Sequence, residues 1–571
     1  MTSIPVPTAS RTEYRQFWLF MLFALVVLAA GIGLRDPWPS DEPRYVLAAR
    51  QMVESGDWLF PHRGHELYAD KPPLLFWMQA AAYEMLRDWR IAFLLPSLLA
   101  GLMTLMLTWD LGRRLWNART GLYAAIGVLF TFHFMYQVKR AQIDPLVMGW
   151  ITLANWGLLL HFLRGPNWRA YWLGCFAAGL GVITKGVGVL AVLMFVPYLI
   201  ARRRMWRDVT QTQDSALRWF GGALAFLAPI LVWGGTVLIA AHARGTPEYQ
   251  AYVDDLFFHQ TAGRYAGSWS HPQPFWYYLP VVLFNWFPLS LAYVGALARW
   301  RHDLAARDAR VLLPLAWALL TILFFSIAHG KRDVYLMPVL PMVALAMAPT
   351  LTQVVHARWL RTTALAFALG VGITMAGIGG IGMFGHWAAL ERFVHDRELD
   401  GIGQSVWAVT AAIGAAFLAS AAWFRRHRGI YALLAGIAAL WIIISVWAYP
   451  LLNDGSSAKG IMRHARELAG VDTEIGLVAW KEQNLLMAEG PVHEFGFNLP
   501  WNRQYADAVH WLSAAPVQRR LFILADAMGD CVDRTKAIRV GLANRREWWL
   551  VGADAVVLGC APAVEADGED R

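Results

Sequence analysis

Thirteen stretches of this chain are apolar and long enough to cross the roughly 30 Å of hydrocarbon in a bilayer. They fall at about 17–34, 91–109, 120–137, 143–163, 170–184, 186–201, 219–241, 276–298, 310–328, 335–352, 360–383, 403–423 and 429–449. A segment surrounded by lipid must satisfy its own backbone donors and acceptors, so such stretches fold as helices. The expected fold is a polytopic α-helical membrane protein with about 13 transmembrane helices. Composition supports this: 57% of the 571 residues are hydrophobic and only 16% are charged, against about 25% charged in soluble domains. The thirty tryptophans suit two aromatic interface belts. The first stretch follows Arg11 and Arg15 but is longer than the about 7–15 apolar residues of a signal peptide. It reads as a retained first helix that starts in the cytoplasm.

The net charge of +9 does not indicate a nucleic-acid partner, because the basic residues sit in short loops between apolar stretches, where they set orientation. Alternate loops carry Arg113, Arg114 and Arg119; Arg164 and Arg169; Arg202, Arg203, Arg204, Arg207 and Arg218; Arg299, Arg301, Arg307 and Arg310; Arg358 and Arg361; and Arg425, Arg426 and Arg428. These loops are expected to be cytoplasmic, with an odd span count leaving the C-terminus outside. Reading 170–201 as one span would flip the later loops and destroy the pattern. Three outer turns break the charge rule: Lys139-Arg140, Lys185 and Lys331-Arg332. Cations kept against the bias need another reason, and binding an anion at the outer face supplies one.

Two outer loops are large, at about 35–90 and 242–275. The first holds amphipathic stretches, Tyr45 to Val53 and Pro73 to Leu86, suited to lying in the interface plane. From about residue 455 the chain reads as a small soluble α/β domain, dividing the protein into 1–452 and 453–571. Its expected elements are a helix near Ile461 to Leu468, a strand at Ile475 to Trp480, a helix from Tyr505 to Leu512, a strand at Leu521 to Ala525, and Trp548 to Leu558 closing the pattern. Cys175, Cys531 and Cys560 lack metal-ligand spacing; the last two are free to pair in an oxidising compartment.

Polar residues gather on the outer face: Asp41, Glu42, Arg44, Tyr45, Tyr68, Asp70, Lys71, Arg140, Asp144, Lys185, His259, Arg264, Lys331 and Tyr335. Charge of both signs beside hydrocarbon is costly and marks a functional site. Carboxylates among cations suit a reaction in which a phosphate leaves and an acceptor attacks: Arg and Lys hold the phosphate, and a carboxylate takes a proton or holds a metal. The membrane setting makes one substrate a lipid. Blander alternatives stay open: Arg140 and Asp144 are spaced i, i+4 and suit a plain ion pair, and Lys185 suits snorkelling.

The runs Asp41-Glu-Pro-Arg44-Tyr45, Tyr68-x-x-Lys71-Pro-Pro-Leu-x-x-Trp77, Arg140-x-x-x-Asp144, Gly181-x-x-Thr-Lys185-Gly186 and Pro274-Phe-Trp-Tyr-Tyr-Leu-Pro280 resemble the bacterial arm of the protein O-mannosyltransferase family. These are C-fold glycosyltransferases that use lipid-phosphate sugar donors, and the likeness is closest to the members that transfer aminoarabinose to lipid A. The resemblance implies an undecaprenyl-phosphate-linked sugar donor, a lipid A acceptor, and a monomer in the bacterial inner membrane with a periplasmic C-terminal domain. It makes Asp41, Asp144 and Lys71 the candidate catalytic residues. Glu42, Arg44, Tyr45, Tyr68, Arg140, Lys185, Arg264, Lys331 and Tyr335 become candidates around the donor phosphate and substrate. Asp70 stands where these relatives usually have a metal-linked glutamate, with His259 as the nearest nitrogen ligand for zinc. The Glu-His pair expected ahead of Arg264 is replaced by Gln260-Thr261, so the expectation is a weak or absent metal. Two alternatives remain: transfer of another sugar, such as mannose or galactosamine, to a protein or other glycolipid, and a lipid-linked sugar transporter.

Overall fold

The computed structural model describes residues 9–211, 216–257, 272–385, 387–397, 399, 401–557, 559, 560 and 562. Each of the thirteen expected spans has a helical counterpart, but they are not alike. Ten described helices are long and apolar enough to cross a membrane unbroken. Two more are bent pairs: Ala118–Leu129 with Phe132–Val138, bent by 68°, and Phe275–Asn285 with Leu289–Ala305, bent by 96°. The last, Trp168–Val182, has 15 residues and covers only about 22 Å at 1.5 Å per residue. This is a multi-pass membrane protein.

The two breaks lie against each other. The amide of Phe132 donates to the Phe287 carbonyl at 3.0 Å, and the indole of Trp286 donates to Nδ1 of His133 at 3.3 Å. Broken backbone at membrane depth is tolerated where protein satisfies the freed groups, and each bend does so for the other. The pair at 170–201 is two segments. A Cβ added at Gly188 would lie 2.1 Å from the carbonyl carbon of Gly181, whereas seven residues of straight helix would separate the two by about 10 Å. The chain doubles back at Thr184-Lys185, and a glycine is required where the strands of backbone touch.

Helix α1, Arg11–Ala29, starts at a capping box of Ser10 and Glu13. It exposes Trp18, Leu19, Leu22 and Val26, a face suited to lipid. Burial sorts the remaining spans. Ala216–Arg244 and Arg358–Phe384 have 22% of their central stretch enclosed, but Ile143–Arg164 and Asp333–Val354 have 83%. The last two are the middle of the bundle, and both begin at the same end, beside Asp144 and Arg332.

That end is roofed by the first large loop and the C-terminal unit. Helix α2, Glu42–Ser55, packs on two sides. Tyr45, Ala48, Ala49 and Met52 pack against α3, Leu74–Leu86, and the bundle. Val46 and Leu47 join the core of the C-terminal unit. The helix is sandwiched, which consumes both its faces. The C-terminal unit follows the last span, which ends at Ser456. Strands β1 (Glu474–Val478), β2 (Val492–Glu494), β3 (Arg519–Leu524), β4 (Ile538–Ala543) and β5 (Arg546–Val551) form one sheet in the order β2-β1-β3-β5-β4. β1 pairs parallel with β2 and β3, while β5 runs antiparallel to β3 and β4. Helices Lys459–Ala469 and Trp501–Ala514 accompany it. Cys531 and Cys560 form a disulfide, and Cys175 is a buried thiol.

Candidate active site

The site grows from the junction after α1. Three carbonyls at the end of that helix, those of Val27, Leu28 and Ala30, accept from the ammonium of Lys139 at 2.7, 3.2 and 2.9 Å. A cation satisfies the orphan carbonyls of a helix C-terminus. Lys139 therefore has a structural reason to sit on the outer side, and no anion is needed to explain it.

Arg35 and Glu42 come next, with side chains 2% and 0% exposed. The Arg35 guanidinium donates to both Glu42 oxygens, at 2.5 and 2.8 Å. The amides of Trp38 and Ala141 donate to the same carboxylate at 2.8 and 2.9 Å. The Glu42 oxygens, expected near the substrate, are engaged by these four protein donors. Asp36 ties this loop to the last span and to Arg90. It accepts two bonds from Arg90 at 2.8 Å and one from Asn453 at 2.7 Å.

One residue before Glu42, Asp41 faces Arg332 instead. Nη2 of Arg332 lies 3.4 Å from its Oδ2. Burial alone would raise the Asp41 carboxyl, but Arg332, then Arg44, the Gln142 side chain and Lys71, hold it below the ordinary aspartate range. Around it stand two buried phenols. Burial, then Asp41, pushes Tyr45 up; burial, then Asp70, pushes Tyr68 up. Both remain protonated hydrogen-bond donors at neutral pH. The structure thus gathers Asp41, Arg44, Tyr45, Tyr68, Asp70 and Lys71 in one electrostatic neighbourhood.

Asp144 opens one central span, 2.6 Å from the ammonium of Lys185. That ammonium also lies 4.6 Å from the centre of the Tyr335 ring. So Lys185 is held by a buried partner and does not snorkel, and Asp144 is not the partner of Arg140. Arg140 instead donates to the Tyr136 hydroxyl at 2.8 Å and the Pro39 carbonyl at 3.2 Å, with Glu42 at 3.9 Å. Lys331, expected at the donor phosphate, is buried and donates to the Gln273 carbonyl at 2.8 Å. Its neighbour Arg332 faces Asp41. Arg332 was not among the residues expected at the site, although the same exception to the charge rule marks both. A second omission is Glu482 of the C-terminal unit, which pairs with Arg44 at 2.8 Å and Arg63 at 3.6 Å. No local signal ties residues so far apart in sequence. Arg264 and His259 lie outside the described residues. Of the two candidate metal ligands only Asp70 is described, and among the described residues no three His, Cys, Asp or Glu side chains gather as a metal site.

Over 95% of its length the chain superposes on crystal structures of ArnT from Cupriavidus metallidurans. With the protein bound to undecaprenyl phosphate, the TM-score is 0.69 at 18% identity, covering 98% of that chain. The fold is that of the C-type glycosyltransferases. The oligosaccharyltransferase AglB from Archaeoglobus fulgidus is a more distant likeness, with a TM-score of 0.51 and 11% identity over 91% of this chain and 70% of that one. Residues 70–233 match the dolichyl-phosphate-mannose-protein mannosyltransferase family. Among curated proteins, an undecaprenyl phosphate-alpha-4-amino-4-deoxy-L-arabinose arabinosyl transferase from Pseudomonas aeruginosa is 33% identical over 350 residues, 58% of each chain. One of the same name from Pectobacterium carotovorum is 32% identical over 375 residues, 63% of this chain and 64% of that one. The chain thus spans about three fifths of the length of the curated relatives it matches. Asp41 and the cations that act on it, Arg332, Arg44 and Lys71, lie at the roofed end of this fold.

Proposed function

We propose that this protein transfers 4-amino-4-deoxy-L-arabinose from an undecaprenyl-phosphate donor to lipid A, as a monomer at the periplasmic face of the bacterial inner membrane. The observation that carries the reading is the Asp41 carboxylate among Arg332, Arg44 and Lys71, at one end of a membrane bundle. The names of the aminoarabinose relatives support the choice of sugar and donor. In the reaction, the bond from the sugar's anomeric carbon to the donor phosphate breaks while an acceptor oxygen bonds to the opposite face, so configuration inverts. The lipid phosphate leaves with the bonding electrons, and Arg44 and Lys71 stabilise its growing charge. A lipid A phosphate arrives ionised and needs no base; Asp41 then steadies the positive sugar centre. A hydroxyl acceptor would give its proton to Asp41.

The disulfide in the C-terminal unit suits an oxidising compartment, which supports a periplasmic location for that unit. The N-terminus then lies in the cytoplasm if all thirteen segments cross. No step is assigned to a metal. The charged groups cluster at one end of the spans, whereas transporters bind near the midplane between repeated halves, and this favours transfer over transport. Mass spectrometry of lipid A from cells with and without the gene tests the reading. Loss of aminoarabinose-bearing species is expected on deletion. Unchanged lipid A would overturn the acceptor and point to a protein or another glycolipid.

A further inference from the structure

The turn at 330–333 is pinned from both sides, yet one of its side chains is an exposed arm. Lys331 donates to the Gln273 carbonyl at 2.8 Å, the Gln273 amide donates to the His329 carbonyl at 3.2 Å, and Pro272 bridges Gly330. On the other side, Oδ2 of Asp333 accepts from Asn285 at 3.4 Å and lies 3.7 Å from Nε2 of His133. His133 is itself fixed by the Trp286 indole. Between these anchors the Arg332 side chain is 43% exposed. Its contact with Asp41 is 3.4 Å long, beyond the about 2.7–2.9 Å of a well-formed charged N–H···O bond. A firm post thus carries a partly exposed guanidinium that faces Asp41 and also feels Asp144.

We propose that Arg332, held against Asp41, is a donor-phosphate ligand, and that an arriving lipid phosphate draws it off and uncovers the carboxylate. This rests on the lipid-phosphate donor proposed above. A phosphate monoester offers more negative charge and more acceptor oxygens than one carboxylate, so it outcompetes Asp41 for the guanidinium. Arg44 and Lys71 continue to act on Asp41 when Arg332 leaves, so the uncovered carboxylate is not stranded. Because the turn is pinned, the exchange needs side-chain rotation alone.

The test is binding of undecaprenyl phosphate to the full-length protein in nanodiscs, for wild type, Arg332→Gln, Asp41→Asn and the double variant. Arg332→Gln should weaken binding about tenfold or more, the scale of one charged hydrogen bond, and Arg332→Lys should restore part of it. Asp41→Asn should tighten binding several-fold by releasing the arginine, and that gain should vanish in the Arg332→Gln background. A gain of equal size in both backgrounds would reflect relief of simple repulsion and would overturn the proposal. So would an Arg332→Gln protein that binds as well as wild type. A folded wild type that binds no undecaprenyl phosphate would overturn the donor reading and this proposal together.

Discussion

The ammonium of Lys185 sits 2.6 Å from Oδ1 of Asp144, with side chains 18% and 7% exposed. The two come from the turn of the helical hairpin and the start of a central span, so the pair ties these two segments together. Removing one partner of an enclosed pair strands the other charge. Asp144→Asn and Lys185→Met should therefore each lower transfer by tenfold or more, and the double variant should be no worse than the poorer single one. Independent, multiplying losses in a purified transfer assay would show that the two act separately.

Arg35 and Glu42 predict a stability effect instead of a kinetic one. Both are almost wholly enclosed and joined by two bonds. Breaking a buried pair from one side costs about 3–5 kcal/mol, so Glu42→Gln and Arg35→Met should each lower the thermal unfolding midpoint in detergent markedly. A Glu42→Gln protein with unchanged melting but lost donor binding would return Glu42 to the substrate.

Asp41→Asn keeps size and removes charge; expression should persist while transfer collapses. The Asp41 carboxyl titrates below the ordinary aspartate range because its cations outweigh burial. It therefore remains ionised at neutral pH and is protonated only as pH falls through that depressed value, so its contribution to activity and stability should survive mild acid. In Arg332→Gln the largest of those cations is gone, and the acid limb should move to higher pH. A wild-type acid limb that Arg332→Gln leaves unmoved would contradict this.

Activity should survive chelation. Asp70 is one methylene shorter than the glutamate usual at that place and Gln260-Thr261 replace the expected Glu-His pair, while the Asp70 charge acts on the Tyr68 phenol. One tightly held zinc per chain in elemental analysis, together with turnover abolished by a chelator, would overturn this expectation.

The sequence by itself determined the membrane class, the thirteen helical segments, the position of the roofing loop, and the candidates Asp41, Arg44, Lys71, Asp144 and Lys185. Those properties follow from local apolar length and from the cost of placing charge beside hydrocarbon, which any stretch of chain reveals on its own. In the C-terminal unit two helices and three of the five strands were legible from local periodicity, but the helix Glu482–Met487 was not. The three-residue β2 and the bulged β4, whose register shifts between Arg539 and Gly541, were not, because too few residues alternate there. Only the tertiary structure decided which charge faces which. It turned Lys331 to a backbone carbonyl and its neighbour Arg332 to Asp41, enclosed Glu42 with Arg35, and brought Glu482 to Arg44 from the far end of the chain. Such pairings depend on how helices bend and stack, and a change of one residue in register redirects a side chain by about 100° around a helix. Composition and spacing carry no record of that angle.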